Sequence, residues 1–195
     1  MKNQLFEKFQ NKRIILASGS PRRRELLKGL DIPFTVETKE VDEVYPEHLV
    51  AGEITRHLAK LKADAFVEMD SNTIIITADT IVWLDKKAVM KPSDRGEAIE
   101  IIERLSDKYH EVYTSVFIKS VAKTKMFTDC TKVYFDILSK EEIAYYVDKY
   151  QPYDKAGGYG AQDWIGYIAI KKLEGSYFNV MGLPVHKLYR ELISF

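Results

Sequence analysis

Ser18, Ser20 and the run Arg22-Arg23-Arg24 crowd around Pro21 in the stretch IILASGSPRRRELL. The apolar residues before them have the character of a buried strand, and Pro21 suits the first position of a helix with Ser20 as its N-cap. Three cations in that first turn oppose the helix dipole, each forgoing roughly 0.3–1 kcal/mol. Free backbone N–H groups, hydroxyls and guanidiniums at one helix start describe an anion pocket, with solvated arginines on an exposed face as the plainer alternative. Asp79 is the second focus. A carboxylate flanked by IIITA and TIVWL needs a partner or an exit from the sheet, which puts it at the carboxyl edge of a strand, where α/β proteins bind ligands. A structural aspartate holding a turn would fit the same pattern. Lys62 and Lys91 could clamp phosphate as point charges, and Glu43 in an acidic loop could hold a divalent cation. Gly157-Gly158-Tyr159-Gly160 permits close backbone approach or a plain turn. Gln162 follows it with one donor and one acceptor, a match for the edge of an imide base such as uracil or thymine.

Several chemistries are excluded. Neither glycine cluster fits a P-loop or a dinucleotide fingerprint, Ser18 and Ser20 lack the G-x-S-x-G setting, and the four histidines form no metal spacing. Cys130 is the only cysteine, so no internal disulfide or cysteine-rich zinc site exists. A formal net charge of zero removes any global attraction to nucleic acid or membrane, so anion recognition has to be local. No apolar stretch approaches the roughly 20 residues that cross a bilayer, and the polar start MKNQLFEKFQNKR is not a signal peptide. A cytoplasmic protein is the expectation.

The elements that must position these residues follow from periodicity. Residues 1–12 read as an extension, helical in part, with Leu5, Phe6 and Phe9 able to pack. Strands are expected at Ile14–Ala17, Pro33–Val36 and Thr73–Thr77, then a hairpin of Ile81–Leu84 with Ala88–Met90 about Asp85-Lys86-Lys87. Ile54, Leu58, Leu61 and Ala65 recur at helical spacing, and Ser93-Asp94 opens a helix carrying Ala98, Ile101, Ile102 and Leu105. Strands from Val112 to Ile118 and Thr131 to Ile137 pair across Ala122–Lys125. Ser139-Lys140-Glu141-Glu142 is a capping box for a helix ending before Pro152. A strand at Ile165–Ile170, a loop EGSYFNVMG and a closing helix with Pro184 as its first residue complete the chain. Alternating strands and helices indicate an α/β fold with added antiparallel strands, in a single domain of residues 1–195.

Taken together, these stretches resemble the Maf family of nucleoside triphosphate pyrophosphatases. The resemblance is carried by ASGSPRRREL, VDE at Val41–Glu43, LAKLKA at Leu58–Ala63, ADT at Ala78–Thr80 and KP at Lys91–Pro92. It continues through HEVYTSV at His110–Val116, DKAGGYGAQ at Asp154–Gln162 and EGSYFNVMGLPV at Glu174–Val185, in family order over nearly the whole chain. It implies a mixed, bent sheet with helices outside around a deep nucleotide cleft, as in inosine triphosphatase-like proteins. The implied reaction cleaves a triphosphate between its α and β phosphates. Asp79 then matches the general base, Ser18, Arg23, Lys62 and Lys91 the phosphate-binding positions, and Glu43 the acid that places Mg²⁺ or Mn²⁺. Arg22, Thr80 and Gln162 match the positions that separate subgroups by base, in the combination similar to the dTTP/UTP subgroup rather than the one preferring 7-methyl-GTP. A homodimer is also implied. The alternatives are a nucleotide-binding regulator of cell division, linked to arrest of septum formation, and a purine-preferring pyrophosphatase. Two features depart from the pattern: Ser115 where glycine is usual, and the longer polar start before Arg13.

Overall fold

The computed structural model describes residues 3–195. Its frame is one mixed sheet whose strands lie side by side in the order Thr35–Val36 (β2), Arg13–Leu16 (β1), Thr73–Leu84 (β3), Tyr109–Lys119 (β5), Thr124–Phe135 (β6) and Ile170–Glu174 (β7), with Lys87–Val89 (β4) added to β3. β3 (Thr73–Leu84) is a single 12-residue strand where two separate ones were expected. Thr77, Asp79 and Thr80 interrupt its apolar pattern, but the polar side chains find partners and the ladder runs on through them. β5 (Tyr109–Lys119) pairs antiparallel along β3 from Ile75 to Trp83. The opposite edge is shared. β1 (Arg13–Leu16) pairs parallel with Thr73–Ile76, and β4 (Lys87–Val89) pairs antiparallel with Val82–Leu84. Among the described residues, no strand lies beside residues 77–81 on that edge.

β2 (Thr35–Val36) extends the sheet beyond β1, and β6 (Thr124–Phe135) pairs antiparallel with β5 as expected, but it starts seven residues before Thr131 and ends at Phe135 rather than Ile137, so Thr124 and Lys125 belong to the ladder and not to the turn. β7 (Ile170–Glu174) closes the far edge. The strand expected at Ile165–Ile170 is instead a short helix, α6 (Trp164–Ala169), and β7 begins where that strand was to end. Ile165 and Ala169, four residues apart, are buried while Tyr167 between them is exposed, a helical rather than an alternating pattern. Gly166 permits this turn: a Cβ there would lie 1.9 Å from the Ala161 carbonyl oxygen.

Helices cover both faces. One face of β3 and β5 carries α3 (Gly52–Asp64), whose Ile54 and Leu58 pack on Ile81. On the other face lie two separate cores. The first joins Ile74, Ile76 and Ala78 to α2 (Pro21–Lys28), α8 (Val185–Ser194) and α1 (Gln4–Phe9). Leu5 and Phe9 of α1 are buried there, so the amino-terminal segment is part of the packed body. The second joins Val82 and Leu84 to α4 (Arg95–Leu105) and α5 (Lys140–Tyr150), both with the expected caps: Asp94 accepts from Glu97 N at 3.0 Å, and Ser139 and Glu142 form the capping box. α7 (Tyr177–Val180) lies within the stretch read as a loop, and Pro184 is the N-cap of α8 rather than its first helical residue. No helix among the described residues is long and apolar enough to cross a membrane.

Candidate active site

The unpaired stretch of β3 opens into a cleft between the two cores. An inner cavity of about 270 Å³ is lined by Arg22, Asp79, Thr80, Tyr159 and Gln162, among others. It continues into an outer trough of about 830 Å³ lined by Ser18, Glu40 and Thr38, and Arg23, Glu43, Lys62 and Lys91 border both. All nine residues singled out from the sequence therefore meet in one place.

Asp79 stands mid-strand in β3, not at a strand's carboxyl edge as expected. It reaches the cleft because β1 stops at Leu16 and leaves its flank open. Its Oδ1 accepts from Lys62 Nζ at 2.7 Å, and the same ammonium lies 3.0 Å from Glu43 Oε2. Burial pushes the Asp79 pKa above the usual carboxylate range, with Lys62 and Arg23 pulling the other way. Lys62 is held over the strand because α3 is fastened to the sheet by hydroxyls. Thr77 Oγ1 donates to the Ala59 carbonyl at 2.6 Å. Thr55, Ser115 and Thr128 form a buried chain with contacts of 2.7 and 2.8 Å. Ser115 thus lies in the middle of β5 and bonds α3 to β6, so its departure from glycine falls on a strand and not a loop.

Arg23 is committed inside the protein. Its Nε donates to the Gly182 carbonyl at 2.8 Å, one amino group to Ser18 Oγ at 3.3 Å, and the other to Thr80 Oγ1 at 3.0 Å. Burial lowers its pKa, opposed by Asp79. Thr80 in turn lies 3.0 Å from Thr114 Oγ1, which donates to the Asn179 carbonyl. Since a hydroxyl has one proton, the order of donation runs Arg23, Thr80, Thr114, Asn179. Ser20 caps α2 by accepting from Arg23 N, as expected. Arg22 reaches across the cleft to Asp154, 2.9 Å away. Lys91 is exposed at the rim and, among the described residues, joins no ion pair.

At the inner end, Gly157 has φ +70, and a Cβ there would lie 2.6 Å from Val82 Cγ2, so the loop can press on β3 only as glycine. Gln162 Nε2 donates to Asp163 Oδ1 at 3.1 Å, while its Oε1 is buried without a hydrogen-bond partner. An unpaired buried acceptor costs about 1–3 kcal/mol.

A family model described as Maf-like protein matches residues 13–195. The chain belongs to the Maf family. Among curated relatives, the dTTP/UTP pyrophosphatase of Bacteroides thetaiotaomicron is 52% identical over 181 residues, covering 92% of this chain and 94% of that protein. The dTTP/UTP pyrophosphatase of Flavobacterium psychrophilum is 50% identical over 191 residues, covering 97% and 98%. Among solved structures, the Staphylococcus aureus Ham1 protein aligns over 64% of this chain and 72% of its own, at 14% identity and a TM-score of 0.47.

In this Maf chain, sequence reasoning missed the partners of its own candidates. Asp154 lies within the glycine-rich motif, but nothing near it in the sequence signals its bond to Arg22, 132 positions away. Asp163 was legible as the neighbour of Gln162, but its second partner, Tyr146 on α5, was not. No cluster of three or more His, Cys, Asp or Glu side chains gathers for a metal among the described residues. Glu43 and Asp79, both bonded to the Lys62 ammonium, are the oxygen ligands that could hold Mg²⁺, which is ordinarily held by one or two carboxylates plus substrate phosphates.

Proposed function

We propose that this Maf protein is a nucleoside triphosphate pyrophosphatase acting on dTTP and UTP. The observation that carries the reading is the Glu43–Lys62–Asp79 bridge on the open flank of β3. A buried carboxylate, a half-exposed one and the ammonium between them meet there, between a base-sized chamber and a trough lined by both basic and acidic side chains. The names of the relatives at about 50% identity support the same substrates. In this mechanism a water oxygen attacks the α phosphorus and Asp79 takes its proton. The bond from the α phosphorus to the bridging oxygen breaks, and pyrophosphate leaves with that oxygen, releasing the nucleoside monophosphate. Asp79 has to be ionised to serve as base: burial works against that form, and the contacts with Lys62 and Arg23 work for it. Lys62 and Lys91 meet the triphosphate directly. Arg23 holds Ser18, Thr80 and the Gly182 turn in place around it. A divalent cation held by Glu43 and Asp79 would supply neutralisation of phosphate charge. Rate acceleration then rests mainly on positioning and preorganised charge.

The test is product analysis with purified protein, Mg²⁺ and each common triphosphate. The expected products are monophosphate and pyrophosphate from UTP and dTTP. Diphosphate and orthophosphate would exclude cleavage between the α and β phosphates. Asp79→Asn is expected to abolish turnover and keep nucleotide binding. Normal residual turnover with lost binding would remove Asp79 from the role of base.

A further inference from the structure

The inner chamber takes its apolar lining from both faces of the sheet. Leu58 and Ile81 belong to the α3 side, Val82 and Val112 to the side of α4 and α5. Two aromatic rings line it among the described residues, Tyr45 and Tyr159. Tyr159 is 5% exposed, and its hydroxyl is held 2.7 Å from His110 Nε2. Tyr45 is only half-buried, and it packs against the cluster of Ile54, Leu58 and Ile81. Its hydroxyl has no oxygen or nitrogen partner among the described residues and points at Met90 Sδ, 4.0 Å away. A thioether is a weak acceptor, so this phenol is far less committed to the fold than that of Tyr159. Tyr45 lies on residues 37–46, which form neither helix nor strand. The same stretch sends Glu43 to Lys62 at 3.0 Å. The Met90 carbonyl accepts the Gly157 N–H at 3.3 Å, so Met90 joins this stretch to the glycine-rich loop on the other side of the chamber.

We infer that Tyr45 is a base-contacting residue: its ring is the part of the chamber wall against which the uracil or thymine ring of the nucleotide lies. A planar base gains from contact with an aromatic side chain whatever its hydrogen-bonding edge, because every base has a π-face. Tyr45 therefore supplies grip on the base and leaves the choice between bases to other groups. The inference rests on the proposed pyrimidine triphosphate reading and adds to it a residue outside the set matched by the family resemblance. Glu43 and Tyr45 are two positions apart, so one short stretch of chain serves both the phosphate end and the base end of the ligand.

Equilibrium binding tests this without turnover. UMP carries the base, and pyrophosphate carries phosphates alone. Each is titrated with Mg²⁺ into wild type, Tyr45→Ala and Tyr45→Phe and followed by calorimetry. Tyr45→Ala is expected to weaken UMP about ten-fold or more, the effect of about 1.4 kcal/mol, and to leave pyrophosphate within about two-fold. Tyr45→Phe keeps the ring and should bind both ligands as wild type does. Unchanged UMP binding in Tyr45→Ala overturns the inference. So does an equal loss on both ligands, which is what a ring that merely holds Glu43 in place would give. If Tyr45→Ala gives no folded protein, Tyr45→Leu carries the test, since it keeps apolar packing on Leu58 and removes the aromatic face. A loss confined to UMP then supports the inference, and any other result overturns it. Wild-type protein that binds UMP no better than inorganic phosphate has no base contact to lose and overturns it too. Wild-type protein that binds UMP but does not split UTP into monophosphate and pyrophosphate strikes the pyrophosphatase reading and leaves the Tyr45 contact standing.

Discussion

Replacing Arg23 and Lys91 by alanine, one at a time, separates a cation built into the fold from one held at the surface. Both line the cleft, and both are matched by the family resemblance to phosphate-binding positions. Arg23→Ala removes three hydrogen bonds from a charged donor. Such bonds contribute about 1.5–3 kcal/mol each before the cost of enclosing the guanidinium is counted. Thr80 keeps Thr114 as a partner, and Ser18 can turn to water, but the Gly182 carbonyl loses its donor. With the relief of desolvating a cation set against these losses, the net destabilisation is about 2–3 kcal/mol. In a chain of this size that lowers Tm by about 4–12 °C. Lys91→Ala removes no ion pair and should leave Tm within about 1 °C, since exposed substitutions usually stay within about 0.5 kcal/mol. Both variants should lose kcat/KM for UTP. The assay is urea or thermal unfolding by circular dichroism, beside steady-state kinetics. An Arg23→Ala protein as stable as wild type, or a Lys91→Ala protein as unstable as Arg23→Ala, would refute the assignment of Arg23 to the scaffold.

Two further outcomes concern stability. His110 is buried against Phe135 and Tyr159, its Nε2 is 2.7 Å from the Tyr159 hydroxyl, and burial lowers its pKa to about 3. The unfolded chain therefore binds a proton that the folded one refuses. Its contribution is present above the unfolded pKa near 6.5 and is lost as pH falls towards 3, at up to about 1.4 kcal/mol per pH unit. His110→Phe should flatten unfolding free energy against pH between 6.5 and 4, and an unchanged slope would place the proton elsewhere. Leu5→Ala should cost about 2–5 kcal/mol in unfolding experiments while kcat/KM is unchanged, because Leu5 is fully buried and lines neither part of the cleft. A wild-type Tm for that variant would mean α1 contributes no core.

What the chain revealed in advance was local. Ser20 with Pro21, and Ser139 with Glu142, are caps whose partners lie three residues away, and both helices start where those caps place them. The pairing of β5 with β6 was legible too, because alternation is a short-range pattern, but the polar residues Thr124 to Cys130 hid the first half of β6. The nine candidate residues line one cleft, but their bonds depend on the fold closing. Arg22 meets Asp154 across 132 positions, and Arg23 meets Gly182 across 159. No periodicity encodes such contacts. Asp79 was misplaced for a related reason: its exit from the sheet depends on where a neighbouring strand ends, which is not written in its own strand. The Ile165–Ile170 error came from apolar residues that fit alternation as well as helical spacing, and it was decided by Gly166 meeting Ala161.

β3, β5 and β6, of 12, 11 and 12 residues, pass beneath both cores. β3 gives Ile76 and Ala78 to one and Val82 and Leu84 to the other, and β5 gives Val116 to one and Val112 to the other. The two walls of the cleft therefore share their beams, and no hinge can form between them without breaking a continuous ladder. Rigid-body closure of the kind that engulfs ligands in two-lobed proteins is unavailable to this sheet. Motion during a catalytic cycle falls instead to the segments bridging the mouth, those around Glu43 and Asp154. The floor on which Asp79 stands is common to both walls, paired without a break from Ile75 to Trp83.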